Sequence, residues 1–479
     1  MPTVYILTRT SGNLLPVLRS LGAAGWTPVI LGDRPDPLVR RSRHVADWQC
    51  LDWTGPAEPM LDRLSELGRN ADRPILLAND EPAVGFLSLH RARLAAHWRL
   101  APVPSPEAIR ETSDKARFQA MLARLGLPTP RTVVLSPDEP DPVTALAPVG
   151  FPLVLKPVDW GYGLGIRVCR DVAQLTRTLA ELREGMKIST LVAQELVPGP
   201  DCCTSILAVD GRIMAWTTQR TLTADPRFGA PGREIQMEEC DPLLESVRRI
   251  VAHLDWSGVA HFDAILDSRC GTPRLLECNP RFWGSLLAST TAGVNFPSLA
   301  VQAALGPIEP TKGFRRIRFH SCGLGLRRFL FPGKATRLRW QETLLPYFAR
   351  DPGPEFLAWL RKPARTGAAE VAGSGLLAAQ LLGIGVALFI PERFFCWAPY
   401  DEATRYQIQV RIGDRRLAPE EIQSRYRYET PGFFPRGIAS LQSIVRQYER
   451  TRGARDGAKV TMGYTRNGRP PEIWTWPPR

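Results

Sequence analysis

The stretch LLECNPRFWGS, residues 275–285, spaces an acid, an amide and an arginine two positions apart as Glu277, Asn279 and Arg281. In an extended chain, residues two apart leave the same face, so these three line up while Leu276 and Cys278 turn into a core. Hard divalent cations take oxygen ligands and commonly sit on one or two carboxylates plus substrate phosphates. Glu277 and Asn279 supply such oxygens, and Arg281 adds a permanently charged fork suited to a phosphoryl or carboxylate group. Asp263 belongs to the same set: GVAHFDAILDSRCGTPRLLECNP reads as a hairpin, and its fold-back brings the two acids alongside. Taken by itself, the row also fits a solvated strand face with an incidental ion pair.

Further groups widen the set. The stretch DWGYGLG places Gly161, Gly163 and Gly165 in one turn, where bare backbone can approach a ligand and aim N–H groups at phosphates. Lys156 immediately precedes this turn, and Lys115 opens an earlier helix. Two lysines, a glycine turn and an acid–amide–arginine row in one chain are harder to dismiss than any one of them, and the chemistry they share is metal and phosphate binding. His261 lies two residues before Asp263 and shares its face on a regular strand, where a structural histidine is the plainer reading. No Ser-His-Asp or Cys-His arrangement emerges.

The elements that must position these residues follow from periodicity. TVYILTRT, SGN, LLPVLRSLGAAGW and TPVILGD read as strand, loop, helix and strand, the opening of a parallel α/β unit. RPILLAND and the helical EPAVGFLSLHRARLAAHW repeat the theme, with no GxGxxG fingerprint. Ser113 is expected to cap a helix that buries Phe118, Met121 and Leu122. FPLVLKP, IRVCR and TLVAQELV read as strands, and DCCTSILAVDGRIMAWTTQR as a hairpin turned at Asp210–Gly211. The fold class is therefore α/β followed by α+β.

Composition bounds the rest. A chain of 479 residues exceeds one core and implies two to four domains. Nine cysteines without zinc-type spacing point to a reducing, cytoplasmic compartment, and the N-terminus reads as a first strand instead of a signal peptide. The net charge of +13 is uneven: residues 311–479 hold 29 Lys+Arg against 14 Asp+Glu, while the first 310 are slightly acidic. Those bases are scattered among prolines and aromatics with no nucleic-acid module, so no nucleic-acid partner is expected. Residues 371–391 carry no charge, with Arg361, Lys362 and Arg365 upstream and Phe394, Phe395 and Trp397 downstream. That length suits a membrane anchor at the inner face of a membrane, and a buried core helix fits the same composition. Beyond it, YQIQVRI, IASLQSIVRQY and VTMGYTRNGRPPEIWTW describe a small α+β unit of unassigned role.

In the order of its pieces, the chain from residue 1 to about 310 resembles an ATP-grasp carboxylate ligase, of the branch that includes the carbamoyl phosphate synthase large subunit. A lysine near 115, LVLKP, a glycine loop, AQELVPGPD, FDAILD and LLECNPR follow one another as in that family. The resemblance implies a pre-ATP-grasp α/β domain over 1–105 and an ATP-grasp domain of two α+β lobes over 106–310. A basic region over 311–398 and the α+β unit over 399–479 complete the expected organisation. It implies ATP and Mg²⁺ (or Mn²⁺) as cofactors, with Lys115, Lys156 and the 161–165 turn on the phosphates. The backbone of Glu195 and Val197, with Gln194 nearby, would read the adenine, and Asp201 the ribose. Asp263, Glu277 and Asn279 would hold metal, Arg281 the phosphoryl group in transfer, and Arg220 the acceptor. Small-molecule carboxylate and amine partners follow, joined through an acyl phosphate. Two other readings stay open: a carboxylase or carbamoyl-phosphate-type enzyme acting on bicarbonate, and an ATP-binding scaffold without turnover. Tyr162 and Leu164 depart from the small hydroxyl residues common in the family's glycine loops.

Overall fold

The computed structural model describes residues 2–71, 73–136, 138–158, 165–186, 190–224, 232–321, 339–361, 404–434, 438–466 and 470–478. Residues 1–361 form one compact unit and 362–479 a second. The apolar runs near the N-terminus become β1 (Thr3–Thr8), β2 (Thr27–Gly32), β3 (Asp47–Cys50), β4 (Ile75–Ala78) and β5 (Arg99–Leu100). They pair in parallel in the order β3-β2-β1-β4-β5. A parallel sheet needs cover on both faces, which explains why these strands are continuously apolar. Val4, Ile6 and Ile30 pack toward the helix Leu14–Ala23, whereas Leu7, Leu31 and Leu76 pack toward Ala57–Asn70 and Glu81–Leu89. Asp80 caps the helix Glu81–Leu89 by accepting from the Ala83 N–H, and its other oxygen accepts from Arg9 N and Thr10 N at 2.9 and 2.6 Å. One carboxylate thus fixes the loop after β1 against that helix start.

Next come β6 (Thr132–Leu135), β7 (Leu153–Pro157), β8 (Arg167–Cys169) and β9 (Leu191–Glu195), an antiparallel sheet ordered β6-β9-β7-β8. Leu175 and Leu179 of the helix Val172–Met186 seal one face against Leu153, Leu155 and Leu191.

The third sheet carries most of the acid row. Its strands are β10 (Asp201–Val209), β11 (Arg212–Thr223), β12 (Glu234–Met237), β13 (Gly258–Leu266), β14 (Pro273–Asn279) and β15 (Ile317–His320), ordered β14-β13-β10-β11-β12-β15. The β10–β11 hairpin turns at Asp210–Gly211, both with positive φ, as expected from Asp-Gly. Ile206, Phe262, Leu275 and Cys278 face the helices Lys115–Arg124 and Asp241–His253. Leu207 and Val259 face the other way and share one core with Phe282, Trp283, the helix Phe296–Leu305 and the first parallel sheet.

Three local expectations are corrected. Ser113 ends the helix Pro106–Ser113, and Asp114 is the cap, its side chain accepting from Arg117 N. The helical run after Asp80 is two pieces, Glu81–Leu89 and Arg91–Ala95, broken at His90. Leu276 is not the core residue of its strand: the register slips between Asp263 and Ala264, pairing Asp263 with Glu277 but Ala264 with Leu275. This bulge turns Leu275 and Cys278 both into the core and leaves Leu276 half-buried. Gln119 Nε2 donates to the Leu276 carbonyl at 2.8 Å, and Thr129 Oγ1 to that of Leu275 at 3.2 Å, so the bulged backbone keeps its partners.

In the second unit, β16 (Thr404–Ile412), β17 (Arg415–Arg416), β18 (Gly432–Phe434), β19 (Lys459–Arg466) and β20 (Glu472–Trp476) form one antiparallel sheet. β16 alternates strictly between buried and exposed positions through Val410, as YQIQVRI predicts, and the helix Ile438–Arg450 covers its apolar side. Residues 371–391, and with them the anchor reading, lie outside the described residues. Among the described residues, no helix is long and apolar enough to cross a membrane.

Candidate active site

The β13–β14 pairing sets Asp263 directly opposite Glu277, and His261 opposite Asn279. Asn279 Nδ2 donates to Asp263 Oδ2 at 2.8 Å and to Glu277 Oε1 at 3.4 Å, so one amide group spans both carboxylates. Asn279 Oδ1 in turn accepts from Arg281 Nη2 at 3.2 Å. In this orientation the amide presents nitrogen to the acids, and acting as an oxygen ligand requires turning it over. The two facing carboxylates, both half-buried, fit a hard divalent cation as they stand. Burial pushes the Asp263 carboxyl up, but the charge and hydrogen bond of His261, the Cys203 hydrogen bond and Arg281 outweigh it, and the net shift is downward. The acid is held ionised, as a metal ligand must be.

Arg281 lies past the end of β14 and is anchored three ways. Its Nε donates to Glu81 Oε1 at 3.1 Å, its Nη1 to the Phe282 carbonyl at 3.0 Å, and its Nη2 to Asn279. Glu81 begins the helix capped by Asp80, so the N-terminal layer orients the arginine.

Across from the row stands Lys156 on β7, only 8% exposed, its Nζ donating to Gln194 Oε1 at 2.8 Å. Burial lowers its pKa; the charge of Glu277 works against that, Lys115 with it, and Asp263 against it. The charges of Glu277, Lys115 and Asp263 thus all reach Lys156. Lys115 Nζ donates to the Val158 carbonyl at 3.4 Å, at the threshold of the glycine turn. Gly161 and Gly163, with Tyr162 and Leu164, lie outside the described residues; Gly165 is described and has φ +72°, a conformation that favours glycine.

The segment AQELV runs along β9. Gln194 is buried, pairs with Lys156 and donates from Nε2 to Thr132 Oγ1 at 3.2 Å. The Glu195 side chain is clamped by Arg131 at 3.1 Å and Arg269 at 2.7 Å, and its N–H donates to the Arg131 carbonyl. Val197 is buried beside it. Gly199 follows at φ +150°, where a Cβ would collide with the Leu266 carbonyl. Asp201 starts β10 with an exposed side chain, its carboxyl raised by partial desolvation and then by the Asp263 charge.

Arg220 is not gathered into this space. It pairs with Cys202, whereas Gln219 pairs with Cys203 and Cys203 with Asp263, so strand alternation turns Arg220 to the opposite face. There its Nε binds Glu238 Oε1 at 2.6 Å. Two residues without an expected role do join the row. Cys203 Sγ lies 3.3 Å from Asp263 Oδ1, and His261 Nε2 is also 3.3 Å from that oxygen.

Fold and candidate residues together give the arrangement expected from the resemblance: a parallel α/β layer and two antiparallel lobes, with Lys156 on one lobe and the carboxylates and the Lys115 helix on the other. Comparison with known proteins agrees. Residues 187–320 match the family described as ATP-grasp in the biosynthetic pathway with Ter operon. The carbamoyl phosphate synthase large chain of Vibrio parahaemolyticus serotype O3:K6 is 24% identical over 337 residues, covering 68% of this chain and 28% of that protein. Its Thermus thermophilus counterpart is 25% identical over 307 residues, covering 60% and 29%. The chain therefore spans less than a third of the length of these relatives. Among solved structures, an ADP complex of N5-carboxyaminoimidazole ribonucleotide synthetase aligns with TM-score 0.54 at 12% identity, covering 69% of this chain and 85% of that one. The Staphylococcus aureus N5-carboxyaminoimidazole synthetase complexed with ADP gives 0.52 at 17%, covering 66% and 80%. Residues 187–320 thus carry an ATP-grasp family match, and the chain is similar over a longer stretch to carbamoyl phosphate synthase large chains.

Proposed function

We propose that the protein is an ATP- and Mg²⁺-dependent ligase that activates a small-molecule carboxylate as an acyl phosphate for attack by an amine or similar nucleophile. The observation that carries this reading is the Asp263–Glu277 pair, in register on two neighbouring strands and facing buried Lys156. A carboxylate is a poor electrophile until its oxygen takes the γ-phosphoryl group, and that transfer depends on charge neutralisation and in-line positioning. Magnesium bound by Asp263 and Glu277, with Asn279 once its amide is turned, would neutralise phosphate charge. Lys115 and Lys156 would hold the phosphates beside it, and Arg281, kept in place by Glu81 and Asn279, would meet the group in transfer. The Glu195–Val197 backbone would read the adenine and Asp201 the ribose. Arg220, on the far face, is set aside as an acceptor ligand in favour of groups nearer Arg281. A family described by a biosynthetic pathway suits small-molecule substrates. The resemblance to the carbamoyl phosphate synthase large subunit suggests one variant in which bicarbonate is the acid. An ADP-release screen of organic acids and bicarbonate against amines tests both. Acid-dependent ADP release supports ligation, and a screen in which no acid raises ADP release above the ATP-only rate refutes it.

A further inference from the structure

The cluster on the inner side of Asp263 has a chemistry that magnesium does not need. Cys203 Sγ, His261 Nε2 and Asp263 Oδ1 all lie within 4.8 Å of one another. The topology builds this cluster: β10 pairs with β13 so that Cys203 is opposite Asp263 and Ser205 opposite His261. Ser205 Oγ and His261 Nδ1 are 2.8 Å apart, which occupies the second ring nitrogen and aims Nε2 at the other two groups. Trp283 stacks on the imidazole with centroids 5.4 Å apart and planes 11° from parallel, fixing the ring plane. Metal-binding histidines characteristically have their second nitrogen held in this way.

We infer that Cys203, His261 and Asp263 form a binding site for a borderline divalent transition metal, of the Zn²⁺ or Co²⁺ class, distinct from the magnesium position on the Glu277 side. A sulfur, an imidazole nitrogen and one carboxylate oxygen are the ligand types such ions select, whereas magnesium selects oxygens. The spacing suits them too. Tetrahedral zinc, with bonds of about 2.0–2.3 Å, needs an N···O edge of about 3.3 Å and an S···O edge of about 3.5 Å. Both separations to Asp263 Oδ1 are 3.3 Å. Asp263 divides its two oxygens: Oδ1 belongs to this cluster and Oδ2 to Asn279 and the Glu277 side. A three-ligand site leaves a fourth position open, as in sites that bind water or a substrate oxygen.

The site shares Asp263 with the proposed magnesium position but does not depend on ATP turnover. The test is titration of the reduced, chelator-treated full chain with Co²⁺ alone, read by the thiolate-to-cobalt charge-transfer absorption and by equilibrium dialysis. One equivalent of Co²⁺ per chain should generate the band, and excess Zn²⁺ should remove it. Cys203→Ser should abolish the band, and His261→Gln should weaken Co²⁺ binding at least tenfold. Glu277→Gln should keep the band, which separates this site from the nucleotide site. Near-ultraviolet circular dichroism of the metal-free variants checks the fold; should Cys203→Ser fail it, His261→Gln decides. No band in the wild type, a band surviving in folded Cys203→Ser, or unchanged affinity in folded His261→Gln overturns the assignment.

Discussion

Replacing Gln194 by leucine removes the acceptor of a buried ammonium group. Lys156 Nζ donates to Gln194 Oε1 at 2.8 Å, and both residues are more than nine-tenths inaccessible. Losing one partner of a buried polar pair costs about 1–3 kcal/mol, and somewhat more when the orphan carries charge. Gln194→Leu should therefore destabilise the first unit by about 2–3 kcal/mol at pH 7. Lys156→Met alone leaves Gln194 Oε1 without its donor and should cost about 1–2 kcal/mol. Removing both leaves neither orphan, so Lys156→Met/Gln194→Leu should be within about 1 kcal/mol of wild type or more stable, as for other buried polar pairs replaced together. The pH dependence carries a second signature. Burial lowers the folded-state pKa of Lys156 below its unfolded value, so the unfolded chain binds more protons between those two values. The penalty of the buried charge is complete below the folded pKa, and stability rises with pH through that window up to about 10.4. This alkaline gain should be larger in Gln194→Leu and absent in the double variant. Urea denaturation followed by tryptophan fluorescence at pH 7 and at alkaline pH measures both effects. Additive losses in the double variant, or an unaffected Gln194→Leu, would show that the pair is not the buried charge site described here.

Four further outcomes follow from the geometry. Arg19 is buried and bound by Asp351 at 3.0 Å and Glu355 at 2.7 Å, so Asp351→Ala should cost about 3–5 kcal/mol in chemical denaturation, against less than 1 for the exposed Arg63–Glu66 pair. The Cys240 thiol is lowered to about 7, chiefly by the Cys202 thiol hydrogen-bonding to it, against burial and aided by the Leu243 N–H. Its iodoacetamide alkylation, followed by mass spectrometry, should show an inflection near pH 7 that moves upward in Cys202→Ala. Gly199→Ala should shift the turn before Asp201, weakening ATP binding at least tenfold in calorimetry while β-sheet circular dichroism is retained. Glu81→Gln, which loosens the hold on Arg281, should lower ATP turnover by roughly tenfold with nucleotide affinity little changed, a split that steady-state kinetics resolves.

The acid row was legible because strand periodicity is strict: Glu277 and Asn279 share a face, and a hairpin returns Asp263 beside them. The parallel layer was equally legible from continuous apolar strands alternating with a helical pattern. What escaped depends on register. The bulge at Leu276 is held by Gln119 and Thr129, residues remote in sequence, and nothing in LLECNP announces it. Arg220, expected from the resemblance as an acceptor ligand, is turned to the far face by its pairing with Cys202. Cys203 and the role of His261 emerge only from the β10–β13 alignment, sixty residues apart in the chain. The cap at Asp114 was readable in principle, since aspartate serves as well as serine there.

Mg·ATP calorimetry on the wild type and on Asp263→Asn/Glu277→Gln tests the central claim most directly. The wild type should bind one nucleotide per chain with an affinity that rises with magnesium, and the double variant should lose at least a hundredfold of that rise, since even second-shell partners of a metal are worth about 10–100-fold. A magnesium-dependent affinity unchanged by removing both carboxylates would contradict it.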